Sequence, residues 1–80
     1  MKITAKSIQF CIDSLTAMVA EKYAKKNKIS ATDALRIFIA TKTYELLINA
    51  KSYLYLETAE YILDMWKDER NGDWERWRLI

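Results

Sequence analysis

Through its first 71 residues the chain contains neither proline nor glycine, and its one glycine, Gly72, follows Asn71 near the C-terminal end. Without such breakers, a segment has to be stopped by capping side chains and by changes in hydrophobic pattern. Apolar residues recurring at spacings of three and four predict helices, and strands are not expected. The sequence therefore reads as all-α, a compact bundle of four to five short helices, with residues 1–80 forming one domain.

The first helix is expected from about Ala5 to Lys26. Ile8, Cys11, Ile12, Leu15, Val19 and Tyr23 form its apolar stripe, and Lys6, Gln9, Asp13, Thr16 and Lys22 lie mostly elsewhere. Lys22, Lys25, Lys26 and Lys28 gather at its end, where cations meet the negative pole of the helix dipole, and Asn27 is the expected left-handed stop. Ser30 then opens a second helix by accepting from the Asp33 amide, with Ala34, Leu35, Phe38 and Ile39 facing inward. Thr41 or Thr43 caps a third, which buries Tyr44, Leu47 and Ile48 and ends at Asn49. Tyr53 to Leu56 reads as a buried extended connector. Ser52 or Thr58 caps a fourth helix with Ala59, Ile62, Met65 and Trp66 inside and Glu57, Glu60, Asp64, Lys67 and Asp68 outside, and a left-handed Gly72 ends it.

Composition limits the chemistry. The 80 residues include no His and one Cys, so the usual neutral-pH base, an intrachain disulfide and a Cys/His zinc site are all missing. A lone cysteine suits a reducing cytoplasm. The longest stretch free of charged residues, Ser14 to Ala20, is far short of the roughly 20 apolar residues of a membrane span, so no membrane association is expected. The basic start is followed by a stripe broken by Gln9 and Asp13, and no export signal is read there. Cys11 among Ile8, Ile12 and Leu15 reads as a core thiol, and Glu60, Asp64 and Asp68 read as a solvated row rather than a cation site. One glycine cannot build a phosphate loop. No enzyme activity, cofactor, metal or small-molecule substrate is expected.

Two binding readings remain. Trp66, Trp74 and Trp77, with Arg76 and Arg78 beside them, are residue types that dominate protein interfaces, and they are the expected contacts with a partner chain or a second copy. Charge is also polarised: residues 1–51 carry nine Lys/Arg against four Asp/Glu, and residues 52–80 carry four against seven. The alternative is a helix-turn-helix nucleic-acid binder. In it the second and third helices offer Lys42, Thr43, Glu45 and Asn49 to a groove, and Lys22, Lys25, Lys26 and Lys28 meet phosphates.

The run Ile29 to Phe38, followed by Tyr44-Glu45-Leu46-Leu47 and Glu60-Tyr61-Ile62-Leu63-Asp64, resembles a family of small uncharacterised bacterial helical proteins. The resemblance implies a basic first helix, a Ser-capped second, a Leu-rich middle helix and a closing Tyr-Ile helix. It also implies the role of an accessory or antitoxin-like partner of another protein.

Overall fold

Four α-helices begin the same way, each with a Ser or Thr whose hydroxyl accepts from a backbone amide three residues on. Thr4 accepts from Ser7, Ser30 from Asp33, Thr41 from Tyr44 and Thr58 from Tyr61. These caps satisfy amides that the first turn leaves without intrahelical partners. The helices are α1 (Ala5–Asn27), α2 (Ala31–Phe38), α3 (Lys42–Ile48) and α4 (Ala59–Arg70), and two short 3-10 turns, Ala50–Ser52 and Leu54–Leu56, lie between α3 and α4. This all-α arrangement is a computed structural model describing residues 4–73 and Glu75.

The stop after α1 falls one residue later than the sequence suggests. Asn27 is still helical, and Lys28 takes the left-handed conformation with φ 55°. Its amide and that of Ile29 both reach the Ala24 carbonyl, and the Asn27 side-chain amide donates to the Tyr23 carbonyl at 2.9 Å, so backbone closure and that side chain together satisfy the end of the helix. Gly72, with φ 80°, follows α4 as expected.

One core joins the helices: Ile12, Leu15 and Val19 of α1, Phe38 of α2, Leu47 of α3, Leu54 and Tyr55 of the second turn, and Ala59, Ile62, Met65 and Trp66 of α4. A smaller contact, Ala20 and Ala24 against Ala34, lets α1 and α2 approach closely because the side chains there are short. Trp66 lies between elements. Its ring stacks on Tyr23 of α1 at 4.2 Å and meets Phe38 of α2 at 5.0 Å, and Phe38 in turn meets Tyr44 of α3 edge-on at 5.5 Å.

Several expected core positions lie outside it. Leu35, Ile39 and Ile48 are exposed, because α2 and α3 are each covered along a single narrow line, Ala34 and Phe38 on one and Thr43 and Leu47 on the other. Asp68, expected on the solvated side of α4, is buried.

The connector is not extended. Tyr53 adopts a left-handed conformation, φ 59°, between the two 3-10 turns, so Leu54 and Tyr55 turn inward while Tyr53 and Leu56 stay outside. Ser52 does not cap α4. Its hydroxyl hydrogen is shared between the Leu46 and Asn49 carbonyls, at 2.6 and 2.8 Å, and its oxygen accepts from the Leu54 amide. One small side chain thus fastens the connector to the end of α3.

Candidate functional site

The last turns of α1 and α4 flank one cleft of about 130 Å³, lined by Lys22, Tyr23 and Lys26 from α1 and by Leu63, Asp64, Lys67 and Arg70 from α4. Helical spacing makes this convergence possible, since positions 22, 23 and 26, like 63, 64, 67 and 70, recur at three and four and so share a face. The half-buried Tyr23 ring backs on Trp66, and the Arg70 guanidinium lies 5.2 Å from the Tyr23 ring centre and 5.0 Å from that of Trp66. Those contacts place the Arg70 charge at the cleft while its planar group rests on aromatic faces.

Among the described residues the ion pairs are Lys22 with Glu60 at 3.1 Å and Arg36 with Asp33 at 3.7 Å. Lys26 and Lys67 therefore border the cleft with no carboxylate in salt-bridge contact. Lys25 and Lys28 continue the positive surface around a shallower hollow shared with Glu21, Ala24, Ile29 and Ala31.

The Glu60 carboxyl is held below its ordinary range, first by its own backbone amide at the start of α4 and then by hydrogen bonding and attraction from Lys22. A carboxylate whose folded-state value is lowered adds stability above the ordinary glutamate range, and loses it as pH falls through the lowered value. An NMR titration should therefore place the Glu60 midpoint below that of an ordinary glutamate. Lys22→Met should raise it only partway, because the amide contact remains; a midpoint unchanged by that substitution would show that the pair does nothing.

The residues expected to contact nucleic acid through α3 are placed otherwise. Thr43 is 0% exposed, and its hydroxyl and amide both donate to Glu69 Oε1, at 2.7 and 2.9 Å. The Lys42 amide donates to Glu69 Oε2 at 3.0 Å, which leaves only the Lys42 side chain at the surface. A recognition helix reads bases with its N-terminal residues. Here a carboxylate from α4 closes that end, so Thr43 is not available to a groove.

Trp66, expected among the partner contacts, is 1% exposed and belongs to the core. Trp74, Arg76, Trp77 and Arg78 lie outside the described residues. The carboxylate row does not act as a unit: Glu60 pairs with Lys22, Asp64 borders the cationic cleft and Asp68 is buried. Among the described residues no three His, Cys, Asp or Glu side chains are grouped to hold a metal ion. Cys11 is half-buried against the core. No helix among these residues is long and apolar enough to cross a membrane.

Exposed aliphatic side chains also flank the buried line of α2, Leu35 and Ile39, both expected in the core, on one side and Ile37 on the other. Leu35, Ile37 and Ile39 are 39, 46 and 47% exposed within five consecutive positions. The signal available was the helix's shortness: eight residues carrying three large apolar side chains, Leu35, Ile37 and Phe38, with Ile39 directly after them, exceed what one buried line can cover.

Fold and sites together define a small all-α helical bundle bearing one cationic cleft and one aliphatic surface. Protein-family models, characterised proteins and solved structures contain no match to the chain.

Proposed function

We propose that this chain is a non-catalytic protein-interaction module whose partner is a second copy of itself. The supporting observation is the exposed aliphatic pair Leu35 and Ile39, which stand one helical turn apart on one flank of α2. Isolated apolar side chains on a surface need no explanation, but a contiguous group marks an interaction site. Domains of this length bury only about 60% of the surface their unfolded chains expose, and association covers more of it. The basic residues 1–51 and the acidic residues 52–80 suit a two-fold pairing in which each copy's positive half meets the other's negative half. Trp74 and Trp77, with Arg76 and Arg78, are proposed as further anchors because of their residue types. A reducing cytoplasm is the compartment that goes with this reading.

Sedimentation velocity over a concentration series tests it. The parent chain should associate reversibly. Leu35→Asp/Ile39→Asp should weaken association by about tenfold or more, given roughly 25 cal/mol for each Å² of apolar area covered. Helix content by circular dichroism should stay unchanged in that variant, and Trp74→Ala/Trp77→Ala should weaken assembly more than folding. A parent that remains monomeric at the highest concentration overturns the proposal, as does a double variant that simply unfolds.

A further inference from the structure

The cleft between α1 and α4 has a use that self-association does not supply. We infer that it holds a phosphate group of a nucleic-acid backbone, gripped by Lys22, Lys26, Lys67 and Arg70. Cations at helix C-termini ordinarily offset the helix dipole. Here the two helix ends contribute about half a negative charge each, and Asp64 and the Glu60 carboxylate paired with Lys22 add one each, so four cations still exceed the negative charge bordering the cleft. The Lys22–Glu60 pair lies on its rim with both side chains largely in solvent, where an ion pair is weak and readily exchanged for another anion. Arg70 is already ordered by its aromatic contacts, which reduces the entropy lost when it takes an anion.

The volume suits one oxyanion rather than a helix or a folded segment. The polymer is favoured over a lone phosphate because the positive surface does not stop at the cleft. Lys25 and Lys28 extend it along the end of α1 beside Glu21, and in the row Lys22, Lys25, Lys28 each lysine stands three residues, about one helical turn and roughly 5 Å, from the one before. A phosphodiester chain presents like charges at a regular interval, whereas a free phosphate presents one. The binding is directed at the backbone, without base readout, since contacts to phosphate position a protein but carry no sequence information. This differs from groove reading by α3, whose N-terminus Glu69 occupies.

Fluorescence anisotropy of a labelled oligothymidylate, titrated with the full chain at several salt concentrations, tests the inference. Affinity should fall as salt rises, with a log–log slope near −2 if about three phosphates are neutralised. Lys26→Gln/Lys67→Gln, at two exposed positions, should lower affinity by about tenfold and reduce the slope by at most about 0.7, since both lysines meet the one phosphate in the cleft. Lys42→Gln/Lys51→Gln, away from the cleft, should bind within about twofold of the parent. Pyrophosphate should displace the oligonucleotide only weakly. Salt-independent binding, equal binding by both double variants, equal affinity for polyglutamate, or binding of pyrophosphate without the oligonucleotide would each overturn it.

Discussion

Trp66→Ala is expected to abolish the cooperative thermal transition of this domain. The ring is 1% exposed and lies between Tyr23 of α1 and Phe38 of α2, with Arg70 resting beside it. Truncating a buried Trp costs about 3–5 kcal/mol through lost transfer energy and the cavity left behind. A single core of this size supplies a net stability of only about 3–5 kcal/mol. The two figures are comparable, so the variant should be largely unfolded near room temperature. The loss also falls on helix packing: without the ring, α1 and α2 lose their shared aromatic contact with α4. Trp66→Phe should keep a cooperative transition at a lower midpoint. Thermal scans followed by circular dichroism decide the matter, and a Trp66→Ala variant that melts within a few degrees of the parent would show that the core is organised elsewhere.

The second large effect belongs to Glu69. Its two carboxylate oxygens accept three hydrogen bonds from the start of α3: the Lys42 amide on one oxygen, and the Thr43 amide and hydroxyl on the other. Glutamine has the same length but a single acceptor oxygen, so Glu69→Gln leaves one donor group facing another. The bond lost at the exposed Lys42 amide and the weaker acceptor facing the part-buried Thr43 donors together cost about 1 kcal/mol or more. The urea midpoint should fall accordingly with little change in the denaturant slope, and α3 amides should exchange faster than those in the middle of α1. Combining Glu69→Gln with Thr43→Val should be less harmful than the two changes summed, because each removes part of the same network. Strict additivity would show that the carboxylate and the hydroxyl act separately.

Glu69 also decides between two readings of α2 and α3. Two short helices joined through Ala40 and Thr41 resemble, as sequence, a motif for reading a groove. The carboxylate from α4 turns the end of α3 into an internal contact, and the nearest positive cleft lies instead between α1 and α4. The aliphatic surface on α2 arises from a comparable limit. Leu35, Phe38 and Ile39 fit one apolar face in projection, yet only Phe38 reaches a neighbour large enough to cover it.

What the amino-acid order determined by itself is local. Ser30 and Thr58 announce helix starts because each hydroxyl serves an amide three residues away, and the stripe through Ile12, Leu15 and Val19 follows from 3.6 residues per turn. The turn at Tyr53 was not legible in this way. A left-handed residue is ordinarily Gly or Asn, and here a tyrosine takes that conformation while Leu54 and Tyr55 on its C-terminal side are buried in the core. The bonds from Thr43 to Glu69, the pairing of Lys22 with Glu60 and the meeting of Lys26 with Lys67 at one cleft needed the tertiary structure. Each joins residues far apart in the chain, and periodicity fixes the face a side chain occupies but not the helix that face will meet.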